Sequence, residues 1–408
     1  MTATAPGNAA CPRHPLDQDA AGVNRPGLYL NPLYHQIRET GTGVAEVIRP
    51  TGTGKLVTRY DDVKEVLRNQ EAFSREAALD ADDVGLKDTI LGLDGERHAA
   101  VRNVVKELFT PRAVERHRSD IEKRAAARLE EMISRGEPAD LIEDFALPLA
   151  LDTICDLLGL PQTDRAQFRQ WGETFLAHTI VAGEEAQAAS AAMAGYLAGL
   201  IEQRRQRPEP DLLGRIAVAG ADLPPAQQIM LPIALLLGGW ETTASSLGTF
   251  VQVLLTHPYQ KHETAYAYLI DHPEMIPAAV TELTRMFSNT GADAMPRRAM
   301  QRVTLPSGAE LQPGEIVIPS VDAGSYDPRV FPEPHQMIFD RPHNHHLSFG
   351  HGPHHCLGRH LGHLQITIAL GLLTRELPRL RLAVPSEDIP RKTGHAIKGP
   401  IKLPVAWS

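Results

Sequence analysis

One short stretch, residues 346–358, constrains the fold more than any other part of the chain. It combines a single cysteine, Cys356, with closely spaced glycines, a proline and the aromatic residue Phe349. A helix-like pattern of apolar residues follows directly, beginning at Leu361. A cysteine at the start of a helix meets the positive end of the helix dipole and the free amides of the first turn, and both favour its thiolate form. Because glycines lack a Cβ atom, backbone amides can approach the sulfur and a flat ligand can lie over the loop.

These residues resemble the cysteine-ligand loop of the cytochrome P-450 family position by position. The family pattern is Phe-Gly-x-Gly-x-His-x-Cys-x-Gly, filled here by Phe349, Gly350, Gly352, His354, Cys356 and Gly358. The resemblance implies haem b with the Cys356 thiolate as its iron ligand. It also places Phe349, Gly350, His354 and Gly358 among the residues that bind the cofactor. Thiolate ligation pushes electron density onto the iron and favours O–O cleavage.

Two other interpretations of this loop remain open. Histidines crowd the segment, at positions 343, 345, 346, 351, 354, 355, 360 and 363, and so raise the possibility of a zinc site. Zinc enzymes usually show a recognisable spacing such as His-Glu-x-x-His, which is absent here, and no Asp or Glu lies between Arg341 and Gln365. The other interpretation is a plain buried cysteine, which is how we interpret Cys155.

The composition of the whole chain excludes several classes of protein. With 408 residues, 42% of them hydrophobic, the chain has ample material for a core. Its net charge of −9 argues against a nucleic-acid-binding protein. The three cysteines lie far apart, which fits a reducing compartment. We find no signal peptide and no apolar run that spans a bilayer, so we expect a cytoplasmic protein with no membrane partner.

A long segment, residues 225–255, predicts a helix that crosses the core because it is apolar on all sides. Gly238 and Gly239 are poor helix formers and invite a kink. Thr242 lies four residues after Gly238, so its hydroxyl can donate to the Gly238 carbonyl and open a groove. Taken alone, the pattern indicates only a helix that packs tightly through its glycines.

The sequence Gly-Gly-x-Glu-Thr in this helix resembles the oxygen-binding segment of cytochromes P-450. The resemblance implies that the groove at Gly238 holds dioxygen and water. It also implies that Glu241 and Thr242 are the catalytic acid–alcohol pair that delivers protons, a role that suits a positioned acid beside a hydroxyl. We expect Trp240 to point away from the iron.

Three basic residues outside the cysteine loop match family positions that bind haem propionates. His98 and Arg102 are four residues apart and share one helix face, a pattern that by itself indicates only a solvated charged surface. In the family, His-x-x-x-Arg at this place binds a propionate, and Arg297 after Pro296 does the same. Cationic groups with several N–H donors suit a buried carboxylate.

Other segments predict the framework around these sites. Residues 44–48 and 55–60 predict a strand pair around a Gly-rich turn, with Asp61 as the N-cap of the next helix. Residues 303–305 and 315–318 predict a second hairpin. Glu282, Arg285 and Arg341 resemble the family's buried ion-pair trio, which supports the cysteine loop. Its implied role is structural.

The resemblance covers most of the chain and implies a mainly α fold with a smaller β region. Haem would lie between the long central helix and the cysteine-ligand loop. We expect a flexible leader in residues 1–22 and a single catalytic domain in residues 23–408, acting as a monomer. Its reaction is expected to use O2 and a small-molecule substrate. No flavin or ferredoxin domain and no Gly-x-Gly-x-x-Gly loop is evident, so electrons are expected from a separate ferredoxin and ferredoxin reductase unless hydrogen peroxide is used.

A basic patch on the cysteine side is the expected docking site for the electron donor, although such charges are usually solvated surface. Its members are Arg102, Lys106, Arg112, Arg116, Arg118 and Arg359. Substrate-contacting residues are expected at family positions in residues 178–182 and at Thr89, Ile90, Ala234, Leu237, Gly238, Asn289, Thr290, Ala292, Ala396 and Ile397.

These small, weakly polar residues suit a mid-sized apolar secondary metabolite. The C-terminal half resembles actinobacterial P-450s that act on cyclic dipeptides, some of which couple aromatic rings. Hydroxylation and coupling are not separated by the sequence, because Glu241 and Thr242 are both present. A non-catalytic haem sensor or carrier also remains open, although it would need no acid–alcohol pair.

Overall fold

The computed structural model describes residue 30 and residues 32–49, 52–79, 86–177, 184–289, 295–392 and 397–408. The predicted leader lies outside these residues, as do residues 178–182, Thr290, Ala292 and Ala396 among the expected substrate contacts. Most of the described chain is helical. The helices are α1 (Pro32–Glu39), α2 (Tyr60–Arg68), α3 (Gly95–Val105), α4 (Pro111–Glu115), α5 (Arg118–Arg135), α6 (Leu147–Leu158), α7 (Arg165–Ala177), α8 (Glu184–Gln206), α9 (Leu212–Ala219), α10 (Pro225–Thr256), α11 (Ala265–Asp271), α12 (Ile276–Met286), α13 (Val321–Ser325) and α14 (Arg359–Glu376).

Ten short strands form the smaller β region of the described residues. They are β1 (Val44–Arg49), β2 (Gly52–Val57), β3 (Phe73–Ser74), β4 (Ala139–Asp140), β5 (Arg297–Ala299), β6 (Val303–Thr304), β7 (Glu310–Leu311), β8 (Ile316–Pro319), β9 (Arg381–Leu382) and β10 (Pro404–Ala406). The largest sheet has the order β1-β2-β8-β5-β3, and two smaller sheets have the orders β4-β10-β9 and β6-β7. This arrangement confirms the predicted mainly α fold with a smaller β region.

The first predicted hairpin is confirmed, with two corrections at its end. β1 and β2 pair in antiparallel fashion, with Val44 opposite Val57. The second strand ends at Val57 instead of Tyr60, because Tyr60 already begins α2. Asp61 is not the N-cap: Arg59 occupies that position without a side-chain hydrogen bond, and the Tyr60 amide donates to Asp327 Oδ2 at 3.0 Å.

The second predicted hairpin is wrong in its pairing. β6 pairs with β7 through a turn at Gly308, which has a φ of 85°, and not with residues 315–318. β8 lies instead between β2 and β5 in the large sheet. The reason is burial: Val317 and Ile318 are fully buried, so the apolar strand β8 pairs on both of its edges in the interior.

The central helix α10 confirms the prediction of a core-crossing element. It begins with Pro225 at a position where proline needs no hydrogen-bonded amide, and it ends one residue before His257. Its buried residues lie on all sides, from Leu231 to Leu254. They belong to the main apolar core together with residues of α6 and α14, so α10 places its middle turns at the centre of the molecule.

The predicted trio of Glu282, Arg285 and Arg341 is also confirmed. Arg285 donates to both carboxylate oxygens of Glu282 at 2.8 Å, and Arg341 Nε donates to Oε1 at 3.0 Å. The Ile338 amide and Asn344 Nδ2 complete the carboxylate's hydrogen bonds at 3.1 and 2.9 Å. Burial alone would raise the pKa of Glu282, but Arg285 and then Arg341 outweigh it and hold that pKa below its ordinary value.

Candidate functional site

The cysteine loop is held in shape by short backbone contacts and by two glycines. The Cys356 amide donates to the Phe349 carbonyl at 2.8 Å, which closes the loop. Gly350 and Gly352 have φ values of 72° and 71°, a region that favours glycine. A Cβ atom on Gly352 would lie 2.7 Å from the Arg68 Cα atom, so the loop also approaches α2 too closely for a side chain.

The Cys356 thiol has a mixed electrostatic environment. Its side chain is reachable by solvent, yet desolvation by the surrounding protein raises the pKa of the thiol. The backbone amides of Gly358 and Arg359 and the charges of Arg102 and Arg359 oppose this and lower the pKa. The predicted stabilisation of the thiolate by the helix start is therefore present but outweighed, and the net shift is upward. Metal coordination would deprotonate such a thiol outright.

Four polar residues from distant parts of the chain meet in one buried cluster, which we call the cationic cluster: Asp94, His98, Arg297 and His354. The rings of His98 and His354 lie 4.1 Å apart between centroids. His354 Nε2 is 3.3 Å from Asp94 Oδ1, and Arg297 is buried. The fold thus brings together two of the three predicted propionate-binding residues, His98 and Arg297, with His354 of the cysteine loop, and adds Asp94.

Burial and neighbouring positive charges disfavour the charged forms of His98 and Arg297, and the Asp94 carboxylate offsets this only in part. Burial, followed by the nearby His354 and Arg102, lowers the pKa of His98 to about 4. Burial, followed by Arg75, lowers the pKa of Arg297 to about 10. The buried His98 Nε2 atom has no hydrogen-bond partner within the described residues. A carboxylate ligand would satisfy this atom and relieve the repulsion, so the cluster fits a haem propionate.

Arg102 is placed differently from the rest of the predicted propionate set. Its Nη2 atom donates to the His355 carbonyl at 2.7 Å, one residue before the cysteine. Its charge also lies near enough to Cys356 to lower the pKa of that thiol. Arg102 therefore connects α3 to the cysteine loop, a contact that the His-x-x-x-Arg spacing alone could not indicate.

The two glycines of α10 have different surroundings. A Cβ atom on Gly239 would lie 3.1 Å from Ile154 Cδ1, so Gly239 packs against α6. A Cβ atom on Gly238 would meet nothing within 4 Å, so the helix surface is open there. Trp240 is buried and packs on Gly172 of α7, where an added Cβ would lie 2.6 Å from its ring. The open position at Gly238 thus lies on a different side of the helix from Trp240.

Several backbone carbonyls of α10 near Gly238 accept hydrogen bonds from side chains. Thr242 Oγ1 donates to the Gly238 carbonyl at 2.6 Å, as predicted, and Thr243 Oγ1 donates to the Gly239 carbonyl at 3.1 Å. Asn289 Nδ2 donates to the Thr242 carbonyl and to Ser246 Oγ. Such bonds from side chains to helix carbonyls loosen and bend a helix.

Glu241 has a partner that the sequence did not indicate. Its Oε1 atom forms an ion pair with Lys392 Nζ, and both side chains are largely buried. Lys392 Nζ also donates to Ser245 Oγ at 2.8 Å, one turn along α10. Burial lowers the pKa of Lys392 to about 8, while the adjacent carboxylate favours its charged form.

The expected substrate contacts that lie in the described residues have varied surroundings. Thr89 uses its hydroxyl locally, donating to the Leu86 carbonyl at 2.8 Å. Ile90 and Leu237 are buried, and Ala234 and Ile397 are partly buried. The Asn289 amide is committed to α10, as described above. These side chains present mainly apolar surface.

A surface cleft of about 670 Å³ lies elsewhere, among α5, α6 and α7. Five arginines line it, and each is paired with a carboxylate, so the cleft is an ion-pair network and has no unpaired charge to offer a ligand. The pairs include Arg124 with Asp156, Arg128 with Asp152, Arg135 with Asp144, Arg165 with Asp152 and Arg169 with Glu143.

Neither a metal cluster nor a membrane span is found in the part of the chain that the structure describes. In that part, no group of three or more His, Cys, Asp and Glu side chains is arranged so that it could hold a metal ion. Among the described helices, none is both long enough and apolar enough to cross a bilayer.

Comparisons with known proteins agree with the geometry. A family model described as Cytochrome P450 matches residues 184–398. Mycinamicin IV hydroxylase/epoxidase from Micromonospora griseorubida is 36% identical over 390 residues, covering 93% of this chain and 96% of the relative. The solved structure of the mixed-function P450 MycG has a TM-score of 0.84 and 33% identity, covering 98% of this chain and 100% of its own. The structure of cytochrome P450mel, titled as having biaryl coupling reactivity, has a TM-score of 0.84 and 31% identity, covering 94% of this chain and 98% of its own.

The chain therefore belongs to the cytochrome P450 family and is of the actinobacterial type. It is an oxidoreductase of the monooxygenase class, with O2 and a small molecule as substrates. Family membership implies haem with thiolate ligation. The open cysteine loop and the unpartnered His98 Nε2 atom both fit that group.

Proposed function

We propose that this protein oxidises a mid-sized, largely apolar secondary metabolite, using O2 and electrons from a ferredoxin and its reductase, within one catalytic unit of residues 23–408. The observation that carries the proposal is the position of Cys356. It lies between His355, whose carbonyl accepts a hydrogen bond from Arg102, and the start of α14. The cationic cluster packs beside the same loop. The relative named for hydroxylation and epoxidation of mycinamicin supports a secondary metabolite as the substrate class.

Haem b, when bound, supplies two-electron activation of O2. Cys356 would be the metal ligand, and Arg102 would place a positive charge beside its thiolate. The cationic cluster would hold the carboxylates of the cofactor through charge-assisted hydrogen bonds. The remaining proposed cofactor contacts are backbone or apolar surfaces, at Gly238, Phe349, Gly350 and Gly358.

Proton delivery is assigned to Glu241 and Thr242. The Thr242 hydroxyl is bonded to the Gly238 carbonyl, where it can hold a water molecule in the opening beside Gly238. Glu241 is the adjacent carboxyl group, and its largely buried side chain can carry a proton toward that opening. A haem sensor or carrier would need neither group.

Replacement of Thr242 by valine is expected to divert electrons from substrate to hydrogen peroxide. Loss of the hydroxyl removes the group that positions water beside Gly238, and general acid catalysis contributes about 10²–10⁴-fold to rates, so even partial loss is large. We expect the share of NADPH recovered as peroxide to rise several-fold. The measurement compares peroxide released with NADPH consumed.

Thr243→Val is the matched control for this experiment. Its hydroxyl makes the same bond to a glycine carbonyl four residues earlier, but at Gly239, which packs against α6. Equal peroxide shares in the two variants would contradict the assignment of Thr242.

The electron donor is proposed to dock on exposed basic residues near the cysteine loop. Two members of the predicted patch serve other partners, since Arg102 holds His355 and Arg118 pairs with Glu115. The members that remain exposed are Lys106, Arg112, Arg116 and Arg359. α4 contacts α14, so this surface lies on the cysteine side.

Reversal of charge at Arg112 and Arg116 together is therefore expected to slow reduction by an acidic ferredoxin. Electrostatic steering raises association rates by about 10–10³-fold, so we expect at least about a tenfold slower reduction at low salt that disappears at high salt. The same reversal at Lys261 and Arg379, which are also exposed, is the control. Unchanged reduction in the Arg112 and Arg116 variant would contradict docking at this surface.

A cyclic dipeptide with aromatic side chains is the proposed substrate class, with hydroxylation and aryl coupling as the two candidate outcomes. The similarity to cytochrome P450mel supports coupling, and the similarity to the mycinamicin enzyme supports oxygen insertion. Mass analysis of products separates them: insertion adds one oxygen atom, whereas coupling joins two aromatic rings, of one molecule or of two, with the loss of two hydrogen atoms. A panel that includes macrolides and cyclic dipeptides tests the class, and turnover of macrolides alone would overturn it.

A further inference from the structure

The C-terminal segment, defined here as residues 386–392 and 397–401, runs along one stripe of α10. The stripe consists of Glu241, Ser245, Gly248 and Gln252, which recur every three or four residues and share a helix face. Gln252 contacts Ser386 Oγ at 3.1 Å and accepts from Arg391 Nη1 at 3.0 Å. The segment is thus fastened to the helix that carries the proposed proton-delivery residues.

Close packing fixes the same segment at its other end. A Cβ atom on Gly399 would lie 2.8 Å from Ser245 Cβ, and one on Gly248 would lie 3.1 Å from Pro400 Cγ. The Lys392 amide donates to the Gly399 carbonyl at 3.0 Å, and the Lys398 amide donates to the Asn289 carbonyl at 2.6 Å. Lys392 therefore has a backbone held in place beside the turn of α10 that contains Glu241.

The ammonium group of Lys392 reaches both Glu241 Oε1 and Ser245 Oγ. The other cations of this segment have different partners: Arg391 donates to Gln252, and Lys398 Nζ lies 3.0 Å from Asp322 Oδ2. Among the described residues, Lys392 is the charged group that faces the Glu241 carboxylate. An opposite charge in direct contact favours the ionised form of the carboxylate. An ionised carboxylate cannot give up a proton until it first gains one.

We propose that Lys392 is a positioning residue for proton delivery. It holds the Glu241 carboxylate ionised and directed toward the C-terminal segment, and this ion pair must open before Glu241 passes a proton toward Thr242. The inference rests on the proposed role of Glu241. It adds a second residue, from a remote part of the chain, that sets when and at what pH the proton moves.

The test uses the reaction that needs no identified substrate, O2 + NADPH + H⁺ → H2O2 + NADP⁺, driven by a plant-type ferredoxin and its reductase. Lys392→Met leaves a largely buried carboxylate without its counter-charge, so the Glu241 pKa rises and the carboxyl stays protonated to higher pH. The pH at which the rate of peroxide release falls on the alkaline side of its profile is then expected to rise by about one pH unit or more. Lys392→Arg is expected to restore the parental value, and Lys398→Met is the matched control that leaves it unchanged.

Three outcomes separate the inference from the proposed function beneath it. If Glu241→Gln keeps the parental rate and pH profile, Glu241 does not deliver protons and the proposed function of this pair fails. If Glu241→Gln slows peroxide release but Lys392→Met leaves the profile unchanged, the inference about Lys392 alone is overturned. If the alkaline side of the pH profile of peroxide release shifts in Lys392→Met and is absent from the double variant, the roles of both Glu241 and Lys392 are supported.

Thermal unfolding gives a second readout that does not depend on activity. Glu241→Gln, Lys392→Met and the double variant form a double-mutant cycle for the purified holoprotein. We expect each single change to lower the midpoint and the double change to lower it by less than their sum. Additive midpoints would show that the ion pair does not form in solution and would overturn the inference.

Discussion

Glu282→Ala is expected to unfold the protein at markedly lower denaturant concentration than the parent. The change leaves Arg285 and Arg341 buried without their shared carboxylate, and leaves the Ile338 amide and Asn344 Nδ2 without an acceptor. Breaking a buried pair by removing one partner costs about 3–5 kcal/mol, a large share of the roughly 5–15 kcal/mol that stabilises a typical domain. Equilibrium unfolding followed by circular dichroism measures the loss.

An exposed pair with the same spacing provides the control for this prediction. Glu115 and Arg118 are three residues apart, like Glu282 and Arg285, but their side chains are 58% and 43% exposed. Glu115→Ala is expected to leave the unfolding midpoint unchanged, because solvent screens such pairs. Equal midpoints for Glu282→Ala and the parent would mean that the trio does not support the cysteine loop.

The stability that Glu282 contributes also depends on pH. Its folded-state pKa is lowered, so its contribution is fully present above the unfolded-state pKa of a glutamate, about 4.3. The contribution is lost as pH falls through the folded-state value. Parent and Glu282→Ala are therefore expected to converge in stability in strongly acidic solution.

Cys356→Ser is expected to abolish substrate oxidation. Loss of residues that merely orient a metal ligand costs about 10–100-fold in activity, so loss of the proposed ligand itself should exceed that range. The measurement is product formed per unit of protein, with haem content determined in parallel. Cys155→Ala is the control, since Cys155 is buried in α6 and burial raises the pKa of its thiol to about 12, as expected for an inert thiol. Comparable oxidation by Cys356→Ser and the parent would exclude Cys356 as the ligand.

The fold could be predicted wherever local sequence decides the structure. Residues 225–255 are apolar on every side, and the structure places the corresponding helix through the core. The bond from Thr242 to the Gly238 carbonyl follows from a four-residue spacing and is present. The trio of Glu282, Arg285 and Arg341 is different, because local spacing indicates only a surface ion pair and its burial is predicted from the family resemblance; the structure confirms that burial.

The errors arose where a distant residue replaces a local interaction. Asp61 is a residue type that is common at N-caps, but the Tyr60 amide donates to Asp327 instead. Asp327 is far away in the sequence, so no local spacing could reveal this contact. The second hairpin failed because β8 is drawn into the large sheet by burial on both edges. Strand propensity can be estimated from a segment alone, whereas the strand with which it pairs depends on which other strands the fold places beside it.

Two residues of the candidate site gave little or no sequence signal. Asp94 lies before α3 like an N-cap, yet its carboxylate accepts from Ser74 Oγ, the Glu76 amide and His354. Burial would raise the Asp94 pKa, but these bonds, led by that of His354, lower it to about 2. Lys392 stands far along the chain from Glu241, and only the packing of the C-terminal segment on α10 brings the two together.

Ligation of haem by the Cys356 thiolate can be tested with a single optical measurement. The purified protein, expressed with ample haem precursor, is reduced and exposed to carbon monoxide beside Cys356→Ser. We expect a strongly red-shifted Soret band in the parent that is absent from the variant, because the thiolate donates electron density to the iron. A colourless parent would show that the protein binds no haem, and the same band in both proteins would show that Cys356 is not the iron ligand.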